Sequence, residues 1–177
     1  MLCLTPGQGM ENRDQRPGSE NRQLSDYTAT VKWQRDGQDF LDDNYSRGHT
    51  WEFDGGLHVP ASASPQIVPL PKSVAENVDP EEAFVASLSS CHMLFFLAIA
   101  RHKGYMVDKY TDCAIGYLAK NDQGRLAMTK IVLRPEVVFS GDTWPTKAQI
   151  DEIHQQSHEQ CFIANSVKTE IITERVT

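Results

Sequence analysis

Two cysteines lie in segments of this chain that have the patterns of helices. Cys91 sits in an apolar stretch that follows Asp79, and Cys161 sits late in a second stretch that carries His154 and His158. A thiol in such a place is either an inert, small hydrophobic side chain or a reagent, because only the thiolate is a strong nucleophile. Serines make the turn before Cys91 small and polar, which favours a thiol that other molecules can reach.

A reactive Cys91 needs a neighbouring cation to stabilise its thiolate. The start of its own helix is roughly three turns away, and the helix dipole acts only within the first turn. Two arginines in the preceding strand region are candidates, Arg47 at a strand start and Arg35 in a turn. We favour Arg47, because a strand holds a side chain more firmly than a turn does. The alternative is that Arg47 is a solvated strand end.

Glu81 is the acidic candidate, at the start of the helix that carries Cys91. Its ordinary role would be to complement the helix dipole, as we expect of Glu82. It could instead orient the arginine, but ten residues of helix rise roughly 15 Å, which separates Glu81 from Cys91 of its own chain. In a dimer of packed helices, the partner's Glu81 could reach. We therefore expect a site that straddles a subunit interface.

Histidines near both cysteines raise the alternative of a zinc site. His158 and Cys161 share a helical face at a spacing of three residues. Cys91 and His92 are a poor complement, because adjacent helical residues point about 100° apart. A site with four ligands would be strained, so we expect no metal and no cofactor. These histidines, with His154, are expected at the surface or rim.

The segment around Cys91 carries a full set of helix-start signals. Asp79 suits the N-cap, Pro80 the first helical position and Glu82 the reciprocal position of a capping box. Apolar residues then cover nearly the whole circumference until Gly104, where we expect the helix to end. One sheet cannot cover such a helix. A second subunit is the simplest cover, so we predict a homodimer built around it.

Extended segments before and after this helix alternate as half-buried strands do. The predicted strands cover residues 28–33, 47–53, 57–59, 107–119, 126–139 and 167–176. The two longest form a hairpin, and a second helix runs from Pro145 or Thr146 to about Cys161. Strands in antiparallel runs around an apolar helix predict an α+β fold rather than a doubly wound parallel one.

Composition limits the classes of function. The chain has 177 residues, a net charge of −7 and a pI near 5.3. This acidity argues against nucleic acid and against an anionic membrane surface as partners. We find no apolar run of the roughly 18 residues that a membrane span needs, and no secretory signal at the N-terminus. We therefore expect a cytoplasmic protein, in which thiols stay reduced.

Residues 24–177 are expected to form one domain, preceded by a disordered leader at 1–23 that is polar and shows no periodicity. Met10 is an alternative start, which would remove Cys3. Four cysteines in a reducing compartment predict redox chemistry or metal binding rather than a structural disulfide framework. Cys113 lies on a predicted strand and is expected to be inert.

The residues around both cysteines resemble a known family. Residues 80–91 are similar to the Pro-Glu-x-x-x-x-Ala-x-x-x-x-Cys helix of the osmotically inducible protein C (OsmC) and organic hydroperoxide resistance family. Residues 158–166 are similar to the second cysteine motif of that family, and the resemblance covers roughly residues 25–177. Phe162 departs from the pattern, because many relatives have a proline directly after the second cysteine.

This resemblance implies an OsmC-like fold, with antiparallel sheets around two central helices in an intertwined homodimer. It implies a thiol peroxidase without metal or haem, in which an organic hydroperoxide oxidises Cys91 to a sulfenic acid and Cys161 resolves it as a disulfide. Glu81 would hold the catalytic arginine, for which Arg47 is chosen by context. A dithiol or a lipoylated protein would reduce the disulfide.

The apolar surroundings of Cys91 favour organic hydroperoxides over hydrogen peroxide, because an alkyl tail gains from burial. The side chains concerned are Phe84, Leu88, Phe95 and Phe162. A competing hypothesis is a redox-responsive or small-molecule-binding relative with little turnover. The presence of both cysteines, Glu81 and a candidate arginine favours the enzyme.

Overall fold

The computed structural model describes residues 25–174. The predicted leader at 1–23, with Cys3 and Met10, and the last residues of the predicted final strand lie outside this range. The described elements, in chain order, are β1 (Ala29–Lys32), β2 (His49–Phe53), β3 (His58–Ala61), α1 (Pro80–His102), β4 (Met106–Asp112), β5 (Ile115–Lys120), β6 (Leu126–Leu133), β7 (Pro135–Ser140), α2 (Lys147–Gln160), a 3-10 turn (Ala164–Ser166) and β8 (Glu170–Thr173). The α+β class is confirmed.

Helix α1 begins and ends where its local signals predict. The Asp79 carboxylate accepts the Glu82 amide hydrogen at 2.8 Å, and the Glu82 carboxylate accepts the Asp79 amide hydrogen at 3.3 Å. This capping box supplies partners for amide groups that the helix itself cannot satisfy. At the other end, Gly104 takes a φ of +81°, in the left-handed region that favours glycine. These contacts lie within a few residues of each helix end.

Only one face of α1 is covered by its own chain. Leu88, His92, Phe96 and Ala100 recur at four-residue steps and are buried. The opposite face also has a four-residue repeat, and its residues are exposed; they are Ala86, Ser90, Leu94 and Ala98. Leu94 keeps 61% of its surface exposed. The helix is therefore apolar on a face that this chain leaves bare.

By length and composition alone, α1 is apolar enough to cross a membrane, although it contains no unbroken apolar run of about 18 residues. Its best window has a mean hydropathy of 1.9, which passes a test of length and composition. The expectation required an unbroken apolar run, and the serines, Cys91 and His92 interrupt this helix. Core helices pass the same test, and α1 packs against α2, β4 and β5.

The predicted long hairpin is divided between two sheets. β4 pairs with β7, and β5 pairs with β6, both antiparallel. The break falls where the Asp112 side chain accepts the Arg134 amide hydrogen at 2.6 Å, next to Pro135, which has no amide hydrogen to give. β8 joins the outer side of β6 in parallel. The sheet with β5 and β6 is therefore mixed rather than wholly antiparallel.

The first three strands form a separate antiparallel sheet in the order β1–β2–β3. The turn between β2 and β3 contains Gly56 at a φ of +82°, and the predicted strands at 47–53 and 57–59 pair as an antiparallel hairpin. β1 is exposed at every residue, including the apolar Val31. This sheet, like the outer face of α1, therefore presents apolar surface that its own chain does not cover.

Candidate active site

The fold brings the two predicted reactive cysteines together. Cys91 lies midway along α1, and Cys161 is the residue that ends α2. Both are free thiols, and they share a hydrogen bond. Burial raises the pKa of Cys161 to about 11, and the hydrogen bond with Cys91 contributes to the rise. The packing of α1 on α2 therefore creates a dithiol site from residues far apart in sequence.

The two thiols differ in access. Cys91 is half-buried, whereas Cys161 is 1% exposed. A soluble oxidant can therefore reach the Cys91 sulfur more readily than the Cys161 sulfur. The raised pKa also keeps Cys161 protonated near neutral pH, where a thiol is a weak nucleophile. The site therefore contains one accessible thiol, Cys91, beside one buried thiol, Cys161.

Local backbone contacts hold Cys161 in place. The residue leaves the helix with φ −63° and ψ 114°, and its carbonyl accepts the Asn165 amide hydrogen at 3.0 Å. The Ala164 amide donates to the Cys161 sulfur at 3.4 Å. The chain then enters the short 3-10 turn, so this is the backbone that accompanies Phe162 in place of a proline. Cys161 is thus a helix terminus rather than a residue on a helix face.

Aromatic side chains stand beside the dithiol. Phe95 is one helical turn after Cys91, and Phe162 directly follows Cys161. Their rings meet edge to face, with centroids 5.1 Å apart and planes at 89°. This arrangement is a favourable one for aromatic pairs. Phe162 is 71% exposed, so one wall of the site is an apolar ring that faces outward.

Arg47 is held in the loop before β2. Its guanidinium lies 3.5 Å from the centre of the Tyr45 ring, donates to the Tyr45 carbonyl at 2.5 Å and forms an ion pair with Asp43. Lys72 donates to the same Asp43 carboxylate at 2.8 Å. The other candidate, Arg35, makes one bond to a turn carbonyl and is exposed. Of the two arginines, Arg47 is therefore the more firmly oriented.

Glu81 lies apart from the dithiol. It lines a cavity of about 720 Å³ together with Ser89, Tyr110 and Asp112, whereas neither cysteine lines that cavity. Within residues 25–174, its carboxylate makes no hydrogen bond or ion pair, and no such contact joins it to Arg47. Within residues 25–174, a single chain therefore assembles the two thiols, and no hydrogen bond or ion pair joins Arg47 or Glu81 to either of them.

Two of the histidines expected at the surface or rim, His92 and His154, are buried. His92 is 1% exposed and His154 is 5% exposed, and the His92 Nε2 lies 3.0 Å from the His154 Nδ1. Burial lowers the pKa of His92 to about 4; nearby Asp112 opposes this shift and His158 adds to it. The missed signal was spacing, because His92 lies on the four-residue repeat that forms the buried face of α1.

The zinc alternative depended on His158 and Cys161 sharing a helical face. α2 ends at Gln160, and Cys161 has extended backbone, so that face does not continue to the cysteine. Throughout residues 25–174, no group of three or more His, Cys, Asp or Glu side chains is arranged to hold a metal ion. The His92–His154 contact is a hydrogen-bonded pair between helices.

Comparisons with known proteins agree with this architecture. The family model described as OsmC-like protein matches residues 73–175. An OsmC-like protein of unknown function from Vibrio cholerae is 58% identical with a TM-score of 0.85, over 86% of this chain and 100% of that chain. Two structures share the fold at lower identity. They are an organic hydroperoxide resistance protein OsmC from Legionella pneumophila (14% identity, TM-score 0.62, 87% of this chain and 97% of that chain) and an organic hydroperoxide resistance protein from Elizabethkingia anophelis (15%, 0.63, 86% and 95%). No curated protein matches the chain.

Proposed function

This chain belongs to the OsmC-like protein family, and on that basis we propose that it is a thiol-dependent peroxidase that reduces organic hydroperoxides to alcohols. The observation that carries the proposal is the contact between an accessible thiol, Cys91, and a buried thiol, Cys161. Relatives of the same fold that are named organic hydroperoxide resistance proteins support the substrate class.

The proposed reaction uses Cys91 first. Its thiolate attacks the distal oxygen of the hydroperoxide, the O–O bond breaks, and the alkoxide takes a proton and leaves as an alcohol. Cys91 has lost two electrons and is a sulfenic acid. The Cys161 sulfur then attacks the Cys91 sulfur, a disulfide forms, and the hydroxyl group leaves with the Cys161 proton as water. A dithiol or lipoylated protein returns two electrons and frees both thiols.

Burial and exposure support this order of roles. The half-buried Cys91 is open to an oxidant, whereas the Cys161 thiol is shielded and protonated near neutral pH. A buried thiol with a raised pKa competes poorly for peroxide but stands in contact with the sulfur that it must attack. The exposed ring of Phe162 and the edge of Phe95 offer an apolar surface to an alkyl group.

Arg47 and Glu81 complete the proposal through a second subunit. In one chain the arginine is bound to Asp43, and Glu81 lines a cavity that neither cysteine lines. The bare face of α1 and the exposed β1 are the surfaces that a partner would cover in an intertwined homodimer. We propose that Arg47 stabilises the Cys91 thiolate at that interface and that Glu81 orients the arginine. We propose a cytoplasmic location, because thiols stay reduced there.

The test is a count of free thiols, with mass and peptide mapping, before and after one equivalent of cumene hydroperoxide. Wild type should lose two thiols and gain a Cys91–Cys161 crosslink, and C113S, which removes an exposed cysteine, should behave in the same way. C161S should lose one thiol and hold a sulfenic acid at Cys91 that dimedone traps. C91S should lose none.

Turnover separates the enzyme from the binding alternative. With a dithiol present, wild type should consume many equivalents of cumene hydroperoxide. A crosslink without turnover would favour a redox-responsive protein over a peroxidase. A wild-type protein that keeps all its thiols after peroxide treatment would refute the proposed chemistry.

A further inference from the structure

His49 is the first residue of β2, and its ring contacts one hydrogen-bond acceptor and one hydrogen-bond donor. The Nδ1 atom lies 2.8 Å from the carbonyl oxygen of Arg47. The Nε2 atom lies 2.9 Å from the indole nitrogen of Trp51. Both partners are on the same strand or immediately before it, so the ring bridges the backbone of the Arg47 loop to a side chain of the sheet.

These two partners determine the protonation of the ring. A carbonyl oxygen can only accept a hydrogen bond, and an indole N–H can only donate one. Nδ1 must therefore carry a hydrogen, and Nε2 must have its lone pair free. His49 is a neutral imidazole in the Nδ1–H tautomer as long as both bonds persist. The Arg47 carbonyl and the Trp51 indole together select this tautomer.

The backbone of Arg47 is held from both sides. Its amide donates to the Lys72 carbonyl at 2.7 Å, and its carbonyl accepts from His49. Its side chain is held separately, by the Tyr45 ring and by Asp43. The Arg47 side chain extends from a backbone that two hydrogen bonds hold, one to Lys72 and one to His49. Loss of the His49 bond would therefore leave the position of the guanidinium less constrained.

We propose that His49 is a positioning residue for Arg47, working as an Nδ1–H imidazole whose tautomer is set by the Arg47 carbonyl and the Trp51 indole together. This inference rests on the proposed peroxidase function, because that function assigns Arg47 the stabilisation of the Cys91 thiolate. His49 itself contacts neither thiol in the described chain. Its contribution reaches the reaction only through the placement of Arg47.

The first experiment measures the rate at which cumene hydroperoxide oxidises Cys91 in four proteins: wild type, H49L, R47M and H49L/R47M. H49L should slow oxidation about tenfold, the scale of one lost hydrogen bond at a site that acts on the transition state. In the R47M background, H49L should have no further effect. An equal slowing by H49L in both backgrounds would overturn the proposal and leave His49 a merely structural residue.

Conservative variants keep the test independent of folding. H49N retains an amide donor near the position of Nδ1, so it should recover most of the rate that H49L loses. W51F removes the indole donor and leaves the ring able to bond the Arg47 carbonyl. Nitrogen NMR of the histidine rings should show His49 as the Nδ1–H tautomer in wild type, and W51F, which keeps the carbonyl partner, should retain the hydrogen on Nδ1. An Nε2–H tautomer in wild type would refute the proposal.

Failure of the proposed function gives a different pattern. If wild type keeps its Cys91 and Cys161 thiols in peroxide, the peroxidase proposal fails, while the NMR measurement still decides the His49 geometry. If wild type reacts but R47M reacts equally fast, Arg47 has no role and the task assigned to His49 is overturned with it. Only a slow R47M together with non-additive H49L supports both statements.

Discussion

Acid should destabilise this protein through His92. Its imidazole is buried where α1 meets α2, and burial lowers its pKa from 6.5 to about 4. The unfolded chain exposes the same ring, which then binds a proton at its ordinary pKa. Between these two pKa values, the unfolded state binds a proton that the folded state does not. The free energy of unfolding must therefore fall as the pH falls through this window, and be full above it.

The size of the effect follows from the width of that window. The whole shift is worth about 3 kcal/mol, reached near pH 4, and about 2 kcal/mol of it is lost between pH 7.5 and pH 5. Domains of this size are stable by only about 5–15 kcal/mol, so the loss is a substantial fraction. The Asp112 carboxylate opposes the shift, and its effect is already included in the pKa of about 4.

The assay is urea unfolding followed by circular dichroism at pH 7.5 and pH 5, at one protein concentration. The matched variant is H92Q, whose amide stays neutral at both pH values and can still bond to His154. Wild type should lose about 2 kcal/mol more than H92Q between the two pH values. H102Q is the control, because His102 is exposed at the end of the same helix; it should follow wild type.

Two results would refute this reasoning. If wild type and H92Q lose the same free energy on acidification, the burial of a neutral His92 is not the source of acid sensitivity. If H102Q removes the sensitivity, an exposed histidine is responsible, and the argument from burial is wrong. Either comparison requires that the slope of unfolding free energy against urea concentration is the same at both pH values.

Three further predictions concern packing and substrate. A Cβ added at Gly116 would overlap the Met128 methyl and a Val85 methyl, so G116A should cost about 1–3 kcal/mol of unfolding free energy in urea melts. Within the described residues the Tyr110 hydroxyl is buried without a hydrogen bond, so Y110F should be neutral or stabilising by about 1 kcal/mol in the same assay. Because Phe162 offers apolar surface beside the dithiol, F162S should slow reduction of cumene hydroperoxide more than that of hydrogen peroxide, and equal slowing in peroxidase assays would contradict the alkyl preference.

The boundaries of the helices were predictable because the interactions that set them are local. The Asp79–Glu82 capping box and Gly104 each act over a few residues, and the structure has them as expected. Thr146 opens α2 with a capping box to Gln149 in the same way. The turn at Gly56 likewise depends only on its neighbours. These signals lie in neighbouring residues, and they do not depend on the rest of the fold.

The burial of the histidine pair could not be predicted from the local sequence. A histidine on a helix is polar on average, so the expectation for His92 and His154 was a surface position. Burial depended instead on each residue facing the other helix, where each ring is the partner of the other. The division of the long hairpin depended in the same way on Asp112 reaching the amide of Arg134, the residue between β6 and β7.

The sequence by itself determined the helix that presents Cys91, the order of the elements and, through two cysteine motifs, the family. Only the tertiary structure decided that Cys91 and Cys161 meet, that one thiol is accessible and the other buried, and that Arg47 is anchored by His49 and Asp43. Helix limits come from contacts within one turn of chain, so the local sequence encodes them. Access, pKa and the meeting of side chains depend on which distant surfaces exclude water from a group, and that is set only when α1 packs on α2.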